Sequence, residues 1–398
     1  MSKAKDPEEN NYPAASNSDS VAPHLGEPLE EILDFATWRK GDDLGQTYAR
    51  LEQEVQEGIA QEERVNQEIR QRVLPLVRAR LNAPKGAGHY KVSPAQLKWV
   101  HANMLLNGAT IAADGTIAAH ETMLLTIAQI GVCAVSYSGS LGEFRRQLFR
   151  RDVRLDGGNP ADEMVAVLEA RQSRAALGYE DAHDELNQLI RRGLMAYGER
   201  TALLEIGADK WLMGHGTPVP RELLTVSLRL MLTRSLALLR ELVLGHRKFV
   251  FVASEPRELL IKTLGDSLGP LQFLIVDTLY EQMNGWIEEN KLSRELGRQV
   301  RQFVEEVGPQ VVRGVYRASA SSPAHIFYAH VDHAQEAALL AMADSTLQEH
   351  RGFPMLLDIA DNLCRVNFEP ASFRAIVQQS YAKSGQPFRY LMERETRR

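Results

Sequence analysis

The sequence lacks the features that would mark a disulfide-rich, zinc-binding, secreted or membrane protein. It has two cysteines, Cys133 and Cys364, too few for a disulfide framework or a zinc site built on thiolates. It has no uncharged apolar run of about 18 residues, and its start, MSKAKDPEENNYPAASNSDS, lacks the apolar stretch of a signal peptide. We therefore expect a cytoplasmic protein with no membrane partner and with both thiols reduced.

Excess positive charge is also missing. The chain has 46 Lys and Arg against 52 Asp and Glu, a net charge of −6, whereas binding to phosphates depends on clustered cations. Any contact with DNA must therefore come from local clusters. The densest cluster is RRQLFRRDVR at 145–154, and its candidate DNA-binding residues are Arg145, Arg146, Arg150 and Arg151. On composition alone, a solvated face or a partner-binding edge explains this cluster equally well.

The composition that remains, 44% apolar and 25% charged, is that of a globular protein with a well-buried core. Residues 1–43 are predicted to be a mostly disordered tail, because the first part is rich in Asn, Ser, Pro and Glu. The helical segment 44–95 follows. Its part 44–81 is rich in helix formers with spaced apolar positions, which predicts a long amphipathic helix that packs on the domain or on a second subunit.

The rest of the chain alternates between strand-like and helix-like patterns. Strands are predicted on both sides of a turn at Asp114-Gly115 and at 201–207, 248–254 and 324–332. Helices are predicted at 159–198, 221–244, much of 256–308, 334–349, 354–364 and 370–382. This alternation indicates an α/β fold, a sheet covered by helices, without giving the strand order.

Three carboxylates stand in settings that suit a metal site. Hydrolysis of a phosphodiester by two metal ions needs several carboxylates from different elements, and hard ions prefer oxygen ligands. Asp114 stands beside Gly115, although a simple hairpin turn also explains that pair. Glu205 follows two leucines on an apparently buried strand, where an unpaired carboxylate is costly. Asp277 in LIVDTLYEQM is a reserve ligand that could instead cap the following helix.

Several segments, in order, resemble the NurA family of DNA nucleases. TIAADGTIAAHE, followed by a strand with Gly131 that ends in VSYSG, is similar to the family's opening motif. Further matches are LLEIGADKW, FVFVASEP, HRGFPMLLDIADNL and the basic end SYAKSGQPFRYLMERETRR. The resemblance runs from about residue 105 to the end. It implies an RNase H-like mixed sheet flanked by helices over 96–398, with a helical insertion at about 256–320.

The resemblance also implies roles for individual residues. Asp114 matches the first metal-binding Asp, and Glu185 matches the helical Glu of the acidic set, although a solvent-facing Glu185 fits its charged helix as well. Glu205 stands where the family normally has Asp, and Asp361 where it usually has His. Lys210 and His120 are candidates for contact with phosphate or DNA, and both could also be ordinary surface residues.

The activity that the resemblance implies is a DNA nuclease dependent on Mn²⁺ or Mg²⁺. It would act as a 5′-to-3′ exonuclease on DNA ends and as an endonuclease on single strands, although the residues do not themselves give the polarity. Its partners would be DNA and a HerA-type hexameric ATPase that feeds DNA into a homodimer, in end processing for repair or in anti-phage defence. The altered acids at 205 and 361 keep open a catalytically weakened adaptor or DNA clamp for the ATPase. An unrelated helical scaffold would explain 44–81 but not the ordered strand motifs.

Overall fold

The computed structural model describes residues 33–37, 44–121, 125–138, 143–152, 178–224, 229–254, 258–289 and 294–388. The chain divides into two units, Met1–Arg64 and Val65–Arg398. Most of the predicted tail 1–43 lies outside the described residues. Among the described helices, none combines the length and the apolar composition that a membrane span needs.

In the first unit, a short 3-10 helix at Phe35–Thr37 precedes α1, Leu44–Arg72, which continues into the second unit. The predicted long helix is thus confirmed. The apolar residues Leu51, Val55 and Ile59 of its first part are exposed. Pairs of side chains four residues apart support this part, for example Arg50 Nε with Glu54 Oε1 at 2.7 Å.

A nine-stranded mixed sheet forms the centre of the second unit, within the described residues. Its strands follow the order β1-β7-β8-β9-β6-β5-β2-β3-β4, and the pairs β2–β5 and β5–β6 are parallel, whereas the others are antiparallel. The strands are β1 (Gly88–Lys91), β2 (Thr110–Glu121), β3 (Leu125–Val135), β4 (Glu143–Asp152), β5 (Trp211–His215), β6 (Phe249–Ala253), β7 (Gln272–Thr278), β8 (Val311–Arg317) and β9 (Ala324–His330).

Helices cover both faces of the sheet. After α1 they are α2 (Leu74–Ala79), α3 (Pro94–Val100), α4 (Gly178–Ile206), α5 (Arg221–Leu224), α6 (Arg229–Arg240), α7 (Leu259–Asp266), α8 (Leu279–Glu289), α9 (Arg294–Val307), α10 (Ala334–Ser345), α11 (Met355–Asn367) and α12 (Pro370–Lys383). Single π-helical turns, His101–Leu105 and Glu241–His246, continue α3 and α6. The predicted α/β class, a mixed sheet with flanking helices and a long N-terminal helix, is confirmed.

Alternation along β2 separates two apolar cores. Ile111 and Ala113 pack into the core that contains the buried faces of α4 to α9. Ala112 points the other way, into the core formed with α3, α10 and α11. This is the period-two geometry of a strand buried on both faces. α4 and α11 therefore approach β2 from opposite sides, which matters for the site described below.

The predicted turn at Asp114-Gly115 is wrong. Both residues lie inside β2, which pairs with β3 without interruption from Ala112 opposite Val135 to Glu121 opposite Thr126. The glycine permits a close approach of a helix and not a reversal of the chain. Gly115 faces α4, where a methyl group would lie 2.5 Å from Met195 Cγ. Aspartate and glycine are common in turns, so the local composition favoured the wrong structure.

Two further secondary-structure predictions are wrong for a related reason. The segment 201–207 is the end of α4 and not a strand, and the strand follows it as β5. The predicted helical insertion at 256–320 contains two strands of the main sheet, β7 and β8, beside its helices. A short apolar run fits a buried strand and a buried helix equally well, so periodicity does not separate them.

Candidate active site

The point at which the parallel pairing of β2 and β5 ends positions the candidate site. β5 pairs with β2 only from Thr110 to Ala113, and it ends at His215, so Asp114 is the residue at which β2 leaves its parallel neighbour. In open α/β sheets, ligands bind at the carboxyl ends of the parallel strands. Asp114 and His215 therefore stand at the edge of the sheet where such a site is expected.

Asp114 faces helix α11. It lies opposite Cys133 of β3, and Cys133 packs with Cys364 of α11 in a small buried cluster. The pKa of Asp114 is raised to about 7, chiefly by burial and to a smaller extent by the negative charges of Asp361 and Asp358. The backbone N–H of Gly115, which donates to Asp114 Oδ1 at 2.9 Å, acts in the opposite direction, as does Arg365. Two carboxylates of α11 thus act electrostatically on Asp114 of β2.

Glu199 reaches the same region from helix α4 on the other side of β2. A methyl group on Gly115 would lie 2.6 Å from Glu199 Oε1, so the absence of a side chain at this glycine gives the carboxyl group its place. Glu199 is only 8% exposed, and its Oε2 lies 3.0 Å from Nη1 of the buried Arg200. Burial raises the pKa of Glu199 to about 7; Arg200 opposes this shift and the charge of Asp114 adds to it.

His215 adds a titratable nitrogen ligand or proton carrier at the end of β5. Desolvation lowers the pKa of its imidazole, and the charges of Glu199 and Asp361 oppose that shift. Its ring packs edge-on against Phe353, with 5.8 Å between the ring centroids. We call Asp114, Glu199, Asp358, Asp361 and His215 the acidic cluster.

Arginines hold the two acids of α11. Asp361 Oδ1 accepts a hydrogen bond from Arg365 Nε at 2.8 Å, one helical turn further along. Asp358 Oδ2 accepts from Arg351 Nη1 at 2.5 Å and from Gln348 Nε2 at 2.6 Å. Both arginines are largely exposed, so their guanidinium groups remain accessible to an incoming anion.

The donor set of the acidic cluster suits a hard divalent cation, since it consists of carboxylate oxygens and one imidazole. Within the described part of the chain, no group of three or more His, Cys, Asp or Glu side chains could hold an ion by itself. Mg²⁺ commonly binds through one or two carboxylates together with phosphate oxygens of a substrate. The donor set of the cluster is compatible with that mode of binding, in which Asp114 and Asp361 would be the protein ligands.

The structure brings together two of the four acids predicted as catalytic, Asp114 and Asp361. Glu205 lies in the last turn of α4 with its side chain exposed, and its Oε2 is 2.5 Å from Nη1 of Arg145 on β4. It is six residues beyond Glu199, which at 100° per residue points it away from β2. The backbone of Glu185 belongs to α4, but its side chain lies outside the described part, as do those of Arg146, Arg150 and Arg151 on β4.

The other candidate residues lie elsewhere. Asp277 is on β7, five strands from β2 and therefore roughly 24 Å away at the usual strand spacing. Its carboxylate binds Arg313 through two hydrogen bonds, of 2.8 and 2.6 Å. Lys210 precedes β5 at the end opposite His215. His120 is buried six residues beyond Asp114 on β2 and lies 3.2 Å from the Tyr381 hydroxyl.

Sequence reasoning missed Glu199, Asp358 and His215. Treating 201–207 as a strand obscured the helical spacing that places Glu199, Leu203 and Ile206 on one face of α4. Asp358 precedes Asp361 by three residues, which is the spacing of one helix face. His215 ends the buried strand WLMGH, which was missed because the strand was predicted at 201–207 instead.

Solved structures of NurA nucleases are similar to this chain. The NurA nuclease from Sulfolobus solfataricus is 10% identical, with a TM-score of 0.43, over 86% of this chain and 98% of that one. NurA bound to dAMP and manganese is 9% identical, with a TM-score of 0.40, over 80% of this chain and 93% of that one. No protein-family model and no curated protein matches the sequence.

These structures belong to the family that the sequence resembles. At identities near 10% and TM-scores below 0.5, they transfer neither site residues nor activity to this chain.

Proposed function

We propose that this chain is a nuclease that hydrolyses phosphodiester bonds of DNA with the help of a divalent metal ion. The observation that carries the proposal is the acidic cluster, in which α4 and α11 bring carboxylates to Asp114 from opposite sides of β2. Buried carboxylates are costly unless they are paired with cations. Acids with strongly raised pKa values, such as Asp114 and Glu199, are typical of functional sites.

Mn²⁺ or Mg²⁺ is the proposed cofactor. Asp114 and Asp361 would hold the ion jointly with a phosphate oxygen of the DNA strand. When bound, such an ion polarises the phosphate and lowers the pKa of a coordinated water. The acids of α11 keep their geometry through Arg365 and Arg351, so the chain contributes preorganised ligands to this binding.

The remaining residues of the acidic cluster handle protons and orientation. Glu199 has a pKa of about 7, so near neutral pH it can both accept and return a proton. His215 lies at the carboxyl end of β5, beside Asp114, and can exchange a proton with a group bound there. Arg200 keeps Glu199 in place through its guanidinium, which also donates to the carbonyl of Pro218 at 3.0 Å.

The finer activities follow the sequence resemblance and form part of the same proposal. They are 5′-to-3′ exonuclease action on DNA ends, endonuclease action on single strands, and stimulation of a homodimer by a HerA-type hexameric ATPase. The cellular role would be DNA end processing in repair or anti-phage defence. The runner-up is an adaptor or DNA clamp for the ATPase, which the lack of a preformed three-ligand metal group in the described residues favours.

The decisive experiment incubates the purified protein with end-labelled linear DNA in Mn²⁺, in Mg²⁺ and in EDTA, with and without a HerA-type ATPase. We expect cleavage that requires the metal and falls at least about 100-fold in Asp114→Asn and in Glu199→Gln. Glu205→Gln is the matched control on the same helix, and it should cleave like wild type. DNA that stays intact in every lane would exclude the nuclease and leave the adaptor function.

A further inference from the structure

A cavity of about 500 Å³ lies beside the acidic cluster. Its lining combines Lys262, Arg351 and the imidazoles of His325 and His350 with the aromatic wall of Phe353; Asp266 also borders it. Cavities of a few hundred Å³ with apolar walls and a few charged groups are typical of sites for small molecules or for parts of larger ligands. The proposed chemistry at Asp114 does not use this cavity.

Phe353 forms the wall between the cavity and the acidic cluster. Its ring centroid lies 5.8 Å from that of His215 on one side and 5.5 Å from that of His325, a cavity residue, on the other. His215 ends β5, and Ser254, which also lines the cavity, directly follows the neighbouring parallel strand β6. The two sites are therefore neighbours along the carboxyl edge of the parallel strands.

The cavity wall is held in a defined shape by hydrogen bonds. The ring of the buried His325 lies between the carbonyl oxygens of Ser254 and Arg351, each 2.9 Å from a ring nitrogen, and donates a hydrogen bond to one of them, so it packs between the end of β6 and the segment before α11. The guanidinium of Arg351 contacts both sites, because it pairs with Asp358 and lies 5.4 Å from the ring centroid of Phe353. Lys262 and His350 are exposed at the mouth of the cavity.

We propose that this cavity binds a phosphate of a single-stranded DNA segment, next to the phosphate held at the acidic cluster. The inference rests on the proposed nuclease function and names where its substrate strand continues. Lys262 and His350 contact the phosphate oxygens, and the apolar wall with Phe353 faces the sugar and base. Proteins bind single-stranded nucleic acid with cationic side chains such as lysine, which contact the phosphates, and with aromatic or apolar surfaces, which contact the bases. Lys262 and Arg351 place positive charge at this site in a chain whose net charge is −6.

The test measures binding without cleavage. A fluorescent single-stranded oligonucleotide is titrated with the full chain in EDTA, and anisotropy gives Kd at several salt concentrations. We expect Lys262→Ala and His350→Ala to weaken binding several-fold, and Lys262→Ala to reduce the slope of log Kd against log salt by about 1. Lys248→Ala is the matched control, because Lys248 is an exposed lysine at the opposite end of β6 and should bind like wild type.

The outcomes separate this inference from the proposed function. Oligonucleotide binding that is unchanged in both cavity variants overturns the strand site, even when wild type cleaves and Asp114→Asn does not. Binding that depends on Lys262 in a protein that never cleaves supports the strand site and overturns the nuclease. A fluorescent mononucleotide is the second probe. If the two variants weaken mononucleotide binding but leave oligonucleotide binding unchanged, the cavity binds a free nucleotide and the proposal is wrong.

Discussion

Gly115 lacks a side chain at the point where strand β2 meets helix α4, and this allows Glu199 to approach Asp114. In Gly115→Ala the new methyl group would overlap Met195 and the Glu199 carboxyl, at 2.5 and 2.6 Å. We expect the free energy of unfolding to fall by about 1–3 kcal/mol, as is usual for overpacked sites. Urea denaturation measures this change, and cleavage by the folded variant should fall as well.

Gly285→Ala is the control for that substitution. Gly285 lies inside helix α8, and a methyl group there meets nothing within 4 Å. Alanine is favoured over glycine in a helix by roughly 0.5–1 kcal/mol, so this variant should be neutral or more stable. Equal behaviour of the two alanine variants would show that the approach of α4 does not depend on Gly115.

Asp344 is a buried acid whose ionisation makes stability depend on pH. It accepts hydrogen bonds from the Tyr137 hydroxyl at 2.6 Å and from the Leu356 N–H at 2.9 Å, and it thereby fixes the start of α11. Burial raises its pKa from 3.8 to about 6, with these hydrogen bonds acting against the shift. The folded state therefore binds this proton more tightly than the unfolded state does, and its contribution to stability is lost as the pH rises through that interval.

We expect Asp344→Asn to remove this dependence on pH. The asparagine oxygen can accept from the Leu356 N–H while its amide donates to the Tyr137 oxygen, so both contacts survive. Between pH 4 and 6.5, the stability of wild type relative to the variant should fall by roughly 2 kcal/mol, which is most of the effect expected when the pKa differs by the interval from 3.8 to about 6. Denaturation curves at a series of pH values measure it, and parallel curves for the two proteins would contradict the assignment.

At the level of single residues, the sequence could identify acids whose neighbours are informative. Asp114 was found from its position beside a glycine and Asp361 through the resemblance to NurA, and the structure brings them together. Glu205 was selected, and Glu199 was missed, because the segment 201–207 was assigned as a strand. On a strand Glu205 would face the core, whereas on the actual helix Glu199 does and Glu205 is exposed.

A buried ion pair joins strands β7 and β8. Asp277 of β7 and Arg313 of β8 face each other with two hydrogen bonds, and Glu258 lies 2.8 Å from the same guanidinium at the surface. Removing one partner of such a pair leaves an uncompensated buried charge. We expect Asp277→Asn to lower the free energy of unfolding by about 3–5 kcal/mol.

The same variant also distinguishes a structural role from a metal site. Per folded molecule, cleavage in Mn²⁺ should be unchanged in Asp277→Asn, because the pair is five strands away from β2. Glu258→Gln is the control, since this partner is 46% exposed and such contacts contribute at most about 1 kcal/mol. A selective loss of metal-dependent cleavage in Asp277→Asn, with normal stability, would restore this residue as a ligand.

Elements were predictable from the sequence where a long pattern was present. The helices α1, α10, α11 and α12 and the strands β6 and β9 were found because each has a sustained apolar period or a clear boundary. The strands β5, β7 and β8 are as short as β6 and β9, but β7 and β8 lie within a mainly helical region and β5 directly follows a segment that was assigned as a strand. Whether such a segment is a strand depends on the neighbouring strands that pair with it, and those lie far away in the sequence.

At the scale of the whole molecule, the strand order decides the site, and no local pattern contains it. β2 pairs with β5 across about a hundred intervening residues, and the end of that pairing creates the edge at Asp114. α4 and α11 then approach from the two faces, so the acidic cluster combines residues 114, 199, 215, 358 and 361. The class of the fold follows from alternating patterns, whereas this convergence depends on tertiary packing.

The way in which the metal is held gives an expectation for the whole protein. If Asp114 and Asp361 hold the ion jointly with a phosphate, then Mn²⁺ alone should bind weakly, whereas Mn²⁺ and a nuclease-resistant phosphorothioate oligonucleotide should strengthen each other's binding. Ligand present at 100 times its Kd stabilises the folded state by about 2.7 kcal/mol, which calorimetry detects as a higher Tm. We expect the Tm shift with both ligands to exceed the sum of the separate shifts.

Asp361→Asn should abolish the excess shift, and Glu205→Gln should keep it, because only the first removes a carboxylate that faces Asp114. A full shift with Mn²⁺ alone would mean that the chain holds the ion without a phosphate, against the arrangement of the described side chains. Strictly additive shifts in wild type would mean that the ion and the strand bind independently. In that case the acidic cluster would not be the place where they meet.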